Sequence, residues 1–212
     1  MKKGMRTIIA WACILASLVL IGGAQAQEAS SAVKSVLFVD RGNIQRSVVA
    51  ELILQKMLKA RNLGTEYKVV SRGLQGTPAS PVLPAHNNLK YYNKSTSAGM
   101  EWENSLPTLQ ELGIAEEFEK HAATVLTKDD LEKATLVLSM DSLTLTDPTW
   151  GIAAQFPAYS AKAMLFTELV GSSAGISDGY GATDSNRHRQ LILDINKTLQ
   201  QGFEQLMRRL NK

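Results

Sequence analysis

The stretch Lys34–Val39, "KSVLFV", is apolar at four consecutive positions and stops at a carboxylate, Asp40. A run apolar on both of its alternating faces suits a strand covered from both sides, as in a parallel sheet between helical layers. A helical pattern follows over Ser47–Ala60, with Val49, Leu52, Ile53, Met57 and Ala60 on one face. Strand, tight loop and helix repeat downstream. Glu66–Ser71 and Thr135–Met140 read as strands. Met100–Leu112, a short capped helix after Thr127, Ala161–Val170 and a long terminal segment, Asp184–Leu210, read as helical. This alternation predicts an α/β fold: a three-layer α/β/α sandwich around a parallel four-stranded sheet, with a functional site at the carboxyl ends of the strands. The fourth strand is expected near Ile152–Phe156. Gly73–Gly99, rich in proline, Asp141–Pro157 and the glycine-rich Gly171–Thr183 read as loops.

The first 26 residues have a different character. A basic start, "MKKGMR", leads into the apolar run Ile8–Gly22 and then Ala24-Gln25-Ala26, a small-x-small cleavage pattern. The run is shorter than the ~20 residues of a spanning helix. A signal peptide over 1–26, an exported domain over 27–212 and a periplasmic or secreted location are therefore expected, with no membrane association after cleavage. Three of the 23 basic residues and none of the 20 acidic ones lie in that leader, so the remainder carries 20 of each. A neutral domain offers no basic face for nucleic acid. The one cysteine, Cys13, also lies in the leader, which removes disulfides, thiolate metal sites and a cysteine nucleophile from the expected domain. No metal-ligand spacing is visible and no cofactor is expected.

The loop after the first strand, "DRGNIQRS", places backbone N–H groups, a turn-permitting Gly42 and the guanidinium of Arg46 at the start of a helix. Such a nest suits phosphate. The candidate phosphate-binding residues are Arg41, Gly42, Asn43, Ile44, Gln45, Arg46 and Ser47.

"VLFVDRGNIQRS" resembles the opening of the low-molecular-weight protein tyrosine phosphatases and their arsenate-reductase relatives, which carry V-C-x-G-N-x-C-R-S after their first strand. Gly42, Asn43, Arg46 and Ser47 match. "VVSRGL" at Val69–Leu74 is similar to the family's second strand and S-A-G turn. "HAATVLTKDDLEKATLVLSMD", His121–Asp141, is similar to its H-x-A-x-x-L-T-x-x-D-L segment and the following strand, and "ISDGYG", Ile176–Gly181, takes the place of its D-P-[YF]-G loop. The resemblance implies the sandwich fold and a phosphoryl site in which the nucleophile falls on Asp40, the second loop cysteine on Gln45 and the general acid on Asp178, with Gly179 where proline is usual. Asp147-Pro148 is the rival for the acid. Tyr91, Tyr92, Trp102 and Trp150 are expected around the mouth of the site, and His121 keeps a family position.

A carboxylate is a weaker nucleophile than a thiolate. Asp40, Arg46 and Asp178 are thus candidate catalytic residues of an impaired site, a pseudophosphatase holding a phosphorylated or anionic ligand or a protein partner. Two other readings stand beside it: an active phosphatase using Asp40, and an interaction domain with an unused pocket. Within the first, the Asp40 carboxylate is expected to fill part of the phosphate position and pair with Arg46; otherwise it caps the strand end and points away.

Overall fold

The computed structural model describes residues 33–212; the expected leader lies outside them. Four parallel strands make one sheet: β1 (Lys34–Asp40), β2 (Tyr67–Gly73), β3 (Leu136–Ser139) and β4 (Ala163–Leu165), in the order β2-β1-β3-β4. Helix α1 (Arg46–Ala60) connects β1 to β2. Between β2 and β3 come α2 (Ser97–Glu111), α3 (Ala115–Lys120) and α4 (Lys128–Lys133). Between β3 and β4 lie α5 (Ser142–Thr146) and α6 (Ile152–Gln155), and α7 (Ser185–Leu210) ends the chain.

The alternation within β1 accounts for the three layers. Val36 and Phe38 face one core with Val49, Ile53, Ile195 and Leu199 of α1 and α7, whereas Leu37 and Val39 face a second with Leu131 of α4 and Ile152 of α6. All four are fully buried, which is why β1 reads as an unbroken apolar run. Helix α7 presents Leu191, Ile192, Ile195, Leu199, Phe203, Leu206 and Leu210 at helical spacing to the first core.

Two expectations fail at the far edge of the sheet. Ile152–Gln155 is not the fourth strand but α6, entered from Gly151 and stopped before Pro157. Ala161–Val170 is not one helix: a 3₁₀ turn over Pro157–Lys162 leads into β4, and another over Phe166–Val170 follows it. At three residues β4 is too short to display a period of two. Met164, Leu165, Phe166 and Leu169, all buried, also fit one helical stripe, so the pattern misleads. The long loop after β2 contains a 3₁₀ turn, Leu89–Tyr91, and α2 begins at Ser97, capped by the Thr96 side chain accepting the Gly99 N–H. The short α5 falls in a stretch read as loop, and α3 in one that carries no reading.

Candidate functional site

The carboxyl ends of β1 and β3 and the entry to α7 converge on the Asp40–Ser47 loop. Asn43 has φ 56°, a left-handed conformation that asparagine tolerates better than most residues. Its side chain is buried behind the loop. Its amide nitrogen donates to Ser47 Oγ at 3.0 Å and Ser71 Oγ at 2.8 Å, its amide oxygen accepts the Thr124 N–H at 2.8 Å, and its backbone carbonyl lies 3.1 Å from His121 Nε2. The His121 ring therefore donates from Nε2 and supports the loop from behind. Gly73 completes the support: a Cβ there would lie 2.8 Å from the carbonyl carbon of Gly42 and 2.9 Å from the Asn43 nitrogen, so β2 passes under the loop only because that residue is glycine.

Asp40 is 3% exposed. Its Oδ1 accepts the Asn43 N–H at 2.5 Å and its Oδ2 the Ser47 N–H at 3.0 Å. Burial pushes this carboxyl above the ordinary range; the charge of Arg46 and the N–H groups of Ser47 and Asn43 oppose that rise without cancelling it.

Arg46 does not hydrogen-bond Asp40. One terminal nitrogen donates to Asp141 Oδ2 at 2.6 Å and to the Ile176 carbonyl at 3.0 Å, and the other to Asp178 Oδ2 at 3.0 Å. The expected Asp40–Arg46 pair is thus replaced by two outer ones. The carboxylate of Asp40 is held by loop amides, and the guanidinium is turned to the acids at the end of β3 and in the loop before α7. Asp141 also caps α5 by accepting the Thr144 N–H at 2.7 Å. Sequence reasoning passed over Asp141; the end of β3, beside β1 in a parallel sheet, was the available signal.

Asp178 reaches Arg46 from a loop held at several points. Arg187 donates to Ser177 Oγ and the Asp178 carbonyl, and Asn104 to the Thr183 carbonyl. His188, fully buried, donates from Nε2 to the Ala182 carbonyl at 2.8 Å. Its Nδ1 is then an acceptor, 3.4 Å from the amide nitrogen of Gln45, which also donates to Ser105 Oγ at 2.7 Å. Gly179 lies against this group, since a Cβ there would come within 3.0 Å of Gln45 Oε1 and the His188 ring. The rival acid, Asp147, accepts the Thr149 and Trp150 N–H groups beyond the end of α5 and does not line the cleft.

The loop opens into a cleft of about 780 Å³ lined by Asp40, Arg46, Asp178, Glu101, Tyr92 and Tyr180 among others. Of the aromatics expected at the mouth, Tyr92 lines it. Trp102 is buried against Phe118, Trp150 lies under the Arg41 guanidinium at 4.9 Å, and Tyr91 is exposed. Tyr180 and Glu101 were missed. Among the described residues no group of three His, Cys, Asp or Glu side chains is placed to hold a metal ion.

The sequence model "Low molecular weight phosphotyrosine protein phosphatase" matches residues 35–91, which span β1, the loop, α1 and β2. Over that stretch the chain is similar to that family. Solved structures with the family fold cover nearly all of their own length on it. A low-molecular-weight protein tyrosine phosphatase from T. tengcongensis is 25% identical, covers 81% of this chain and 99% of its own, and superposes with a TM-score of 0.60. A YwlE mutant from Bacillus subtilis is 22% identical, with coverage of 82% and 99% and a TM-score of 0.60. The tyrosine phosphatase Wzb from Escherichia coli K30, solved in complex with sulphate, is 20% identical, with coverage of 82% and 99% and a TM-score of 0.58. No curated protein matches the chain. Against the low-molecular-weight phosphatase pattern, Asp40 and Gln45 are the two departures within the loop.

Glu101, on α2, is a second raised carboxyl in the cleft. It is 4% exposed, and burial pushes its carboxyl up to about 7; the Gly181 N–H opposes the rise and the charge of Asp178 adds to it. A folded-state value above the unfolded one means that the favourable contribution is complete below pH ~4.5 and is lost as pH climbs through about 7. Glu101→Gln is therefore expected to match the wild type in stability at pH 4 and exceed it by about 1–2 kcal/mol at pH 8, after allowance for screening by cleft water. Denaturant titration at the two pH values measures this; equal stability at pH 8 would show that the Glu101 carboxyl is solvated.

Proposed function

We propose that this domain is an exported, catalytically impaired member of the low-molecular-weight phosphatase family, whose cleft binds a phosphorylated or otherwise anionic ligand instead of turning it over. The observation that carries the reading is the state of Asp40: both carboxylate oxygens accept loop N–H groups, in a buried site that disfavours the charged, nucleophilic form. The loop's free donors support the reading. Among the described residues the N–H groups of Gly42, Ile44, Gln45 and Arg46, all in residues that line the cleft, have no protein acceptor. These donors and the start of α1 supply the field an oxyanion needs. Export is supported by the basic, apolar and Ala-Gln-Ala pattern of residues 1–26. N-terminal sequencing of the exported protein should begin at Gln27, and a start at Met1 would oppose export.

Calorimetry with inorganic phosphate, beside an aryl phosphate assay with and without magnesium, tests the binding reading. The wild type should bind phosphate weakly and release no phenol. Removing the Asp40 charge should favour an incoming anion, so Asp40→Ser and Asp40→Asn should bind phosphate tighter by about 1–3 kcal/mol. Weaker or equal binding by both variants would rule out competition between Asp40 and the anion. Wild-type turnover lost in Asp40→Asn would instead establish the aspartate as a phosphoryl acceptor.

A further inference from the structure

Glu101 is a buried carboxyl in the cleft that phosphate binding does not use. One oxygen accepts the Gly181 N–H at 2.8 Å, and the other has no protein partner among the described residues although the side chain lines the cleft. The groups around it are Asp178, whose charge makes its ionised form harder to reach, and the neutral phenol of Tyr92 in the same lining. The positive charge of Arg46 is already matched by Asp141 and Asp178. The two ends of the cleft therefore differ: unpaired backbone donors lie around the loop, and an unpaired acceptor with excess negative charge lies at the mouth. A simple dianion satisfies the first end and is repelled at the second.

We propose that the cleft takes a zwitterionic ligand, an anionic group on the loop amides joined to an ammonium group that pairs with Glu101. The proposal rests on the anion-binding reading and adds the second recognition element. Tyr92 and Pro84, also in the lining, offer apolar surface for the body of such a ligand. A carboxylate of this kind discriminates strongly, because an ammonium ligand gives it a charge-assisted partner and a plain anion leaves it unpaired.

Phenylphosphonate and 4-(aminomethyl)phenylphosphonate differ in that ammonium and neither can be hydrolysed. By calorimetry at pH 8 the wild type should bind the aminomethyl compound about tenfold tighter or more. The ratio should collapse in Glu101→Gln, and in the wild type it should shrink at pH 6, where Glu101 holds its proton; comparing the ratio removes the titration of the phosphonate that both probes share. Equal binding of the two probes by the wild type, or a preference that persists in Glu101→Gln or stays unchanged at pH 6, would overturn the proposal and leave the anion site standing. Binding of neither probe, even by Asp40→Ser, would remove the anion site and the proposal with it.

Discussion

Arg46→Ala should cost about 3–5 kcal/mol of folding stability, the largest loss expected of any single substitution at the cleft. The side chain is 5% exposed and its terminal nitrogens serve two carboxylates and a carbonyl. Removing it leaves Asp141, Asp178 and the buried Asp40 facing one another with no cation among them, and leaves the Ile176 carbonyl without its donor. The deficit should be greatest near neutral pH and should narrow as pH falls and Asp40, its carboxyl already raised by burial, takes up its proton. Urea midpoints for wild type and variant at pH 7.5 and pH 4.5 measure both the size and the trend. A loss below about 1 kcal/mol at neutral pH would mean that the carboxylates solvate themselves without the guanidinium.

Asp40→Cys should gain aryl phosphate hydrolysis, which the wild type lacks on the proposed reading. The N–H groups of Asn43 and Ser47 that now hold the carboxylate would face a thiolate, and with Arg46 and the start of α1 nearby they should lower its pKa into the reactive range. The loop amides without protein acceptors would be free for the equatorial oxygens of the phosphoryl group, and Asp178, 3.0 Å from Arg46 in the same cleft, would be available to protonate the leaving oxygen. Adding Asp178→Asn should lower the new rate by about 10²- to 10⁴-fold for a substrate with a poor leaving group. Adding Arg46→Lys, which keeps the charge and loses the planar fork, should reduce it as well. A folded Asp40→Cys protein with no phenol release would show that Gln45 and the Asp141–Arg46 pair have closed the site to the chemistry.

The loop, its strand and its helix were legible because each rests on local chemistry: four apolar residues buried on both faces, a glycine and an asparagine at the turn, and an arginine at the first position of α1. The pairing of Arg46 was not. Asp141 comes to it through the parallel register of β1 with β3, Val39 opposite Ser139, and no spacing in the sequence states which strand neighbours which. Glu101 escaped for a related reason. It lies on a helix whose first turn is Ser-Ala-Gly-Met, and nothing marks that stretch as facing the cleft until the Gly181 N–H is seen against it. The fourth strand was lost because three residues at a sheet edge, flanked by 3₁₀ turns, leave no periodic trace.

The bracing of Asn43 separates the shape of the loop from its reactivity. Ser47, Ser71, Thr124 and His121 hold the turn from the side away from the cleft, and Gly73 lets the neighbouring strand press directly against it. Only the Asn43 and Ser47 N–H bonds depend on what position 40 carries. A lineage can therefore exchange the residue at that position, nucleophile for carboxylate or back again, without first rebuilding the backbone around it. On the proposed reading, loss and recovery of catalysis would lie one codon apart in such a scaffold, while recognition of the ligand would be free to drift at the mouth.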